Sequence, residues 1–393
     1  MKELIEQKIT EIANVLLAVN LKKEFSNDLS LLSGELGALI FLKYYSIIYD
    51  QVNIIKTLEK RFDIYFDNLV SHVLQISYCN GISGILYGLN LLDKSMSLNI
   101  DYNDVEKHYK KYLFRMMKWG FNNCNYDYFH GSLGILLGQM DDVKFVKAAI
   151  RSLEQAAVID GEKIKWYSFI DFKEKRGINI SLSHGMSSLV IILCRIYEKN
   201  IESKSVQTLI TGAVNYILSQ RIDYNIYGCF FPIQSLESDT FLQKSRLAWC
   251  YGDLGIALAL WEAGKVLQNS FWKSVSLNIM LESCTRRSID DTLIKDAGIC
   301  HGSSGLAMIF YYMYNETRNF IFMETCNYWI SVTLKMASFK DGLAGYKTWN
   351  GNYKNDCSLL TGISGIGLML LTVVSNNPIC FEWNHFFLLL NKH

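Results

Sequence analysis

Proline is almost missing from this sequence, 2 residues in 393, which argues against a proline-rich linker between domains. No sign of charge prevails: Lys+Arg 39 against Asp+Glu 38 leaves a formal net charge of +1. No global field therefore favours nucleic acid or an anionic membrane. The longest uncharged apolar stretches, such as 365–374 and 189–194, fall well short of the roughly 20 residues that cross a bilayer, so no transmembrane segment is expected. The N-terminus, MKELIEQKITEIANVLLAVN, scatters acids and lysines through its apolar positions and lacks the layout of a signal peptide. The expected setting is therefore cytoplasmic. Without a secretory signal, the ten cysteines read as packing groups, ligands or reactive thiols before disulfides.

What is abundant is apolar material, 50% hydrophobic with 13% aromatic and only 20% charged. That suits a large core and excludes a disordered chain. The chain also repeats itself. Small-residue pairs three apart, each followed by an apolar run, occur at Gly34/Gly37, Gly81/Gly84, Gly131/Gly134, Gly185/Ser188, Gly252/Gly255, Gly302/Gly305 and Gly362/Gly365. Their spacing, about 50 to 65 residues, is long for a solenoid repeat and right for a helical hairpin with loops. Glycines at i and i+3 share a helix face, where a neighbouring backbone comes close. The runs behind the motifs, such as IALALW at 256–261, are apolar all round, as helices buried on every side must be. Segments between them, such as DVEKHYKKYLFRMMK at 104–118, mix charge with apolar residues as outer helices do. The predicted fold is all-α: seven helical hairpins closed into a double-layered α/α toroid, one domain over residues 1–393, with an open superhelix as the alternative. Residues 161–179, which include KIKWYSFIDF, read as a small β-like excursion.

Equivalent repeats make the two residues ahead of each first glycine equivalent as well. These pairs are Leu32-Ser33, Cys79-Asn80, Phe129-His130, Ser183-His184, Cys250-Tyr251, Cys300-His301 and Leu360-Thr361; they hold three of the ten cysteines and three of the seven histidines. In a toroid they converge at one end of the cavity, beside helix N-termini whose free N–H groups favour thiolates. Cys250, Cys300 and His301 come from successive repeats. Two thiolates with one imidazole make a catalytic zinc set with an open fourth position, and soft sulfur ligands select zinc over magnesium or calcium. Cys79 and His130 share the location, but neither is expected to be a ligand, and His130 fits the lining of a substrate channel instead.

NISLSHG ending at His184-Gly185, RLAWCYG from 246 to 252 and GICHGSSG from 298 to 305, set among seven such motifs, give the chain its likeness. It resembles the lanthionine synthetase C-like family over essentially its whole length. The resemblance implies an α/α toroid with one zinc ion on Cys250, Cys300 and His301, and Asp127, His184, Arg246 and Tyr251 around the metal. It implies Michael-type addition of peptide cysteines to dehydroalanine or dehydrobutyrine, giving lanthionine and methyllanthionine rings without a nucleotide or redox cofactor. His184 would serve as acid or base, Asp127 would orient it, and Arg246 would balance enolate charge. Tyr251 is the weakest member of this set.

The pattern departs from the family at Leu247, where an acidic residue is common, at Ser188 in place of a glycine, and at His130, often acidic; substrate preference is what these put in doubt. The short stretch between the third and fourth motifs leaves limited room for an extra β-rich insertion. With the first motif beginning by Ser33, a dehydratase is expected to be a separate partner, alongside the dehydrated precursor peptide and an export transporter, with peripheral membrane association in such a complex. The competing readings are a non-catalytic zinc and thiol-binding relative that holds a peptide or glutathione, and a prenyltransferase-like toroid, for which no clustered Arg/Lys diphosphate site stands out.

Overall fold

The computed structural model describes the chain except residues 20, 72–74, 97–101, 171–174, 239–241, 243, 376 and 390–393. Its main helices in chain order are α1 (Lys2–Ala18), α2 (Glu35–Ile48), α3 (Val52–Ser71), α4 (Ile82–Met96), α5 (Asn103–Asn122), α6 (Ser132–Leu137), α7 (Val143–Ala156), α8 (Met186–Glu198) and α9 (Ser203–Leu218). They continue with α10 (Asp253–Val266), α11 (Ser270–Ser283), α12 (Ser303–Thr317), α13 (Phe320–Met336) and α14 (Ile363–Val374), followed by a 3-10 segment, Pro378–Phe387.

The even-numbered helices are those that follow the glycine motifs. They are mostly apolar and buried: every residue of α6 is buried, as is every residue of α10 from Asp253 to Gly264, while α4 exposes Asp93 and Lys94 near its end. The intervening helices bury one stripe. In α7 it is Phe145, Val146, Ala149, Ile150, Ser152 and Leu153, the spacing of an amphipathic helix laid on a core.

The two kinds of helix also start differently. Asp142, Asn269 and Asn319 cap α7, α11 and α13 by accepting from first-turn N–H groups, the usual side-chain N-cap. The motif helices α2, α6, α8, α10, α12 and α14 begin at a glycine with no side-chain cap. The first glycine of each of these pairs therefore stands ahead of its helix, not on the helix face with its partner as the spacing suggests.

The chain forms two compact units, one comprising 1–75, 79–107 and 294–393, the other 76–78 and 108–293. In the first, α4, α2, α14 and α12 pack in a row, with α1, α3 and α13 against them. The motif loops of this unit are stitched by backbone hydrogen bonds. Cys300 N donates to Leu360 O (2.9 Å), Leu360 N to Leu32 O (2.9 Å), and Leu32 N to Cys79 O (3.2 Å). The seventh motif is thereby tied directly to the first.

In the second unit α6, α8 and α10 form the row, backed by α7, α9 and α11. Leu182 N and Ser183 N both donate to Cys250 O, at 3.1 and 3.2 Å. Two antiparallel hairpins cover α9 and its surroundings: β1 (Val158–Asp160) with β2 (Lys163–Lys165), and β3 (Ser168–Phe169) with β4 (Arg176–Gly177). Ile164 of β2 presses on α9 where Gly212 leaves no side chain. Residues 171–174 of the excursion expected at 161–179 lie outside the described residues. The first unit carries a further hairpin, β5 (Thr348–Trp349) with β6 (Tyr353–Lys354), which the sequence does not announce.

Candidate metal centre

The candidate residues sit on loops that share one design. In every motif but the fifth, the N–H just after the first glycine donates to the carbonyl seven residues earlier: Glu35 to Asp28, Ile82 to Gln75, Ser132 to Asn125, Met186 to Asn179, Ser303 to Asp296 and Ile363 to Asp356, at 2.7–3.1 Å. Where that earlier residue is Asp28, Asn179, Asp296 or Asp356, its side chain also accepts from the N–H two residues on, at 2.9, 2.9, 3.0 and 2.7 Å. This is an Asx-turn. The loop doubles back so tightly that a Cβ on Gly302 would collide with Gly298 N and with the Asp296 carboxylate.

One expectation fails here. At the sixth motif, Ser303 N, Ser304 N and Gly305 N are taken by the carbonyls of Asp296, Ala297 and Gly298, at 3.1, 3.3 and 3.3 Å. The first turn of α12 therefore has no free N–H groups with which to favour a thiolate, because the loop has used them.

At the ends of the series the pair positions serve the loop itself. Ser33 Oγ donates to Asp28 Oδ2 at 3.0 Å and Thr361 Oγ1 to Asp356 Oδ2 at 2.7 Å.

The third and fourth motifs bring together the groups expected to act as acid and base. Asp127 Oδ1 accepts from His130 N (2.8 Å), the work a serine does in the fourth loop, where Ser181 Oγ accepts from His184 N (3.2 Å). The other oxygen, Oδ2, lies 2.6 Å from His184 Nδ1. Burial disfavours a charged His184 ring, but the hydrogen bond and charge of Asp127 outweigh it and hold the imidazole above its ordinary value. Phe129 meets the His184 ring edge-on at 5.5 Å and stacks on Trp249 at 5.5 Å, closing one side of the imidazole with apolar surface. His130 lies 5.9 Å from His184 in a near-parallel stack. Burial pushes the His130 imidazole down, with Asp127 opposing and His184 adding to the effect.

Tyr251 completes the group, its ring 5.9 Å from that of His184. Burial pushes its phenol up to about 12 despite hydrogen bonds with Asn179 and Ser181, so it stays a neutral donor across the physiological range.

The fifth loop breaks the common design. Arg246 stands where the others carry an Asx or Gln, and Gly252 takes φ +88°, a left-handed conformation open to glycine. With no Asx-turn to hold it, the loop is anchored from outside. Asp253, fully buried, accepts from Phe230 N and Phe231 N at 3.0 Å each and pairs with Arg286 Nη1 at 3.3 Å. Arg286 Nη2 donates to Ser245 O at 2.8 Å. Sequence reasoning gave Asp253 and Arg286 no role; a lone acid opening an apolar helix was the available signal. Arg246 itself is half-buried and has no hydrogen bond or ion pair to another described residue. Leu247, noted for its missing charge, is buried, and Ser188 turns its hydroxyl back to Gly185 O at 2.8 Å, so a side chain fits where glycine is usual.

Among the described residues one group of three metal-ligand side chains comes together, Cys250, Cys300 and His301, with donor atoms all within 4.8 Å of one another. Cys79, buried in the second loop, and His130 are not part of it. Two thiols and an imidazole are the donors zinc prefers.

The chain resembles known proteins in sequence and in fold. A family model described as lanthionine synthetase C-like protein matches residues 3–388. Nisin biosynthesis protein NisC of Lactococcus lactis subsp. lactis is 25% identical over 287 residues, 65% of this chain and 67% of that protein. Among solved structures, nisin cyclase superposes with a TM-score of 0.75 at 18% identity, over 98% of this chain and 97% of that one. That likeness extends to the fold: the chain is all-α and has the architecture of a double-layered α/α toroid.

Proposed function

Since the chain belongs to the lanthionine synthetase C-like family, we propose that it is a zinc-dependent lanthipeptide cyclase. It closes thioether rings by adding cysteine thiols of a dehydrated precursor peptide to dehydroalanine or dehydrobutyrine in the same peptide. The observation that carries this reading is the convergence of Cys250, Cys300 and His301 among the described residues, a donor set that would hold one zinc ion and leave its fourth position to the substrate sulfur. Zinc held there would draw the proton from a substrate thiol and keep the sulfur nucleophilic at neutral pH.

The protein's own groups do the rest. The reaction forms one C–S bond and moves one proton from sulfur to the α-carbon of the dehydro residue. Asp127 engages Nδ1 of His184, which leaves Nε2 as the nitrogen that receives and returns that proton, and an imidazole raised toward neutrality suits both tasks. Negative charge develops on the carbonyl oxygen of the dehydro residue. In this reading Arg246, half-buried and without an ion-pair partner among the described residues, is the cation that balances it. Tyr251 donates from a phenol that remains protonated. Phe129 and Trp249 keep water from one side of the ring pair, strengthening the electrostatic terms.

In this reading the partners are the dehydrated peptide, a separate dehydratase and an exporter, and the setting is the cytoplasm at the periphery of the membrane. No helix among the described residues is long and apolar enough to cross a membrane. The test is incubation with a dehydrated precursor peptide and counting of free thiols by alkylation, because cyclisation leaves the peptide mass unchanged. Loss of free thiols supports the reading; thiols that persist for every candidate precursor, with zinc bound, favour a protein that only holds thiol peptides.

A further inference from the structure

The aspartate of the sixth loop stands in the same frame as those of the first and seventh, but with a different neighbour. Asp28 and Asp356 each receive the hydroxyl five residues on, from Ser33 and Thr361, on Oδ2. Five residues after Asp296 the sequence has His301 instead, and its Nε2 lies 3.8 Å from Asp296 Oδ2. The carboxylate is 3% exposed and cannot swing away. Gly298 N holds Oδ1 at 3.0 Å, and Trp349 N, from β5, holds Oδ2 at 2.8 Å.

We propose that Asp296 is the positioning residue for the metal ligand His301, accepting the N–H of the ring nitrogen that the metal does not use. This rests on the zinc reading above. An imidazole rotates freely about its Cβ–Cγ bond, so a ligand on a loop needs something to fix its plane and tautomer. A carboxylate on the remote ring nitrogen does both and strengthens the ring as a donor. The contact at 3.8 Å shortens to a hydrogen bond with about 1 Å of ring movement. The β5–β6 hairpin thereby gains a purpose, since its Trp349 N–H is what pins Oδ2. A loop built elsewhere to satisfy a hydroxyl has been reused, with one residue changed, to orient a ligand.

The experiment uses the full-length, zinc-loaded protein and a chromogenic chelator competing for the ion, with Asp296→Asn and Asp356→Asn compared. Asparagine preserves an acceptor for the loop N–H and removes the charge. Asp296→Asn is expected to weaken zinc binding about 10- to 100-fold, and Asp356→Asn, with the same loop role but no imidazole, to leave it unchanged. A second cycle separates ligand orientation from loop strength. With His301→Cys in place there is no ring to orient, so adding Asp296→Asn is expected to cost no further affinity. Unchanged zinc affinity in Asp296→Asn, equal losses in the two asparagine variants, or the same loss in the His301→Cys background would each overturn the proposal. Wild-type protein that binds no zinc refutes the zinc reading itself, and the proposal with it.

Discussion

Replacing Asp253 by alanine tests how the fifth loop is held, and the expected cost follows from what the side chain does. Asp253 is fully buried, accepts two backbone N–H groups and neutralises Arg286, itself 4% exposed. Breaking a buried pair by removing one member strands the other charge, at about 3–5 kcal/mol. The freed N–H groups of Phe230 and Phe231 add to that, though not additively.

Asp253→Asn distinguishes charge from hydrogen bonding. Burial pushes the Asp253 carboxyl up to about 6 even against Arg286 and the two N–H donors, so the charge is itself expensive there. An amide that keeps one acceptor oxygen is therefore expected to cost less than half as much as alanine. The sign with pH follows from the same shift. A folded-state value above the unfolded one, near 3.8, means the folded protein binds the proton first. The wild-type contribution thus falls as pH rises from about 4 to about 6, and Asp253→Asn lacks that slope. Urea denaturation followed by tryptophan fluorescence, at several pH values, measures all three proteins. An alanine variant within about 1 kcal/mol of wild type, or an asparagine variant as damaged as alanine, would refute the reasoning.

Four further outcomes are expected. Cys300→Ala should lose zinc in metal analysis while His184→Ala keeps it and loses ring closure; zinc retained in Cys300→Ala would implicate another ligand. Asp127→Asn removes what holds His184 above its ordinary value, so the ring should titrate below it by NMR. The stability that the pair contributes below the unfolded histidine value, lost in wild type as pH rises through the folded one, should disappear. Gly305→Ala puts a Cβ onto Ile299 O and should destabilise by about 1–3 kcal/mol or more. Gly161→Ala, with open space around a Cβ but φ +59°, should cost only about 1 kcal/mol of backbone strain. Ser33→Ala and Thr361→Ala should each lose about 1.5–3 kcal/mol for a hydrogen bond to a charged group, with zinc binding intact, as thermal unfolding and metal analysis will report.

The repeat was legible because glycine has no substitute where backbones cross. Gly302 and its equivalents mark every motif helix, and the apolar runs behind them had to be buried. The candidate site positions stood out for the same reason, since a fixed register makes departures such as Cys300-His301 conspicuous. What escaped was the loop design. Asp28, Asn179, Asp296 and Asp356 recur six residues before their glycines, but polar residues in loops are common and these lie four residues ahead of the pair positions. Asp253 and Arg286 escaped for another reason. They lie 33 residues apart, and only the folded chain reveals that one exists for the other.

The hydrogen bond from Leu360 to Leu32 joins the last motif to the first, and it bears on how the protein can be made. The unit to which both belong is drawn from 1–107 and 294–393 apart from 76–78, whereas the other is almost wholly the continuous stretch 108–293. A ribosome delivers the middle segment complete while the first unit still lacks α12 to α14. The middle unit can then fold during synthesis, whereas α1 and α2, which pack against α14, keep part of their apolar surface uncovered until residues 363–374 have been made. Exposed surface of that kind, held for seconds at typical elongation rates, is a natural target for chaperones, and a stalled or truncated chain would be lost at its beginning, not at its end.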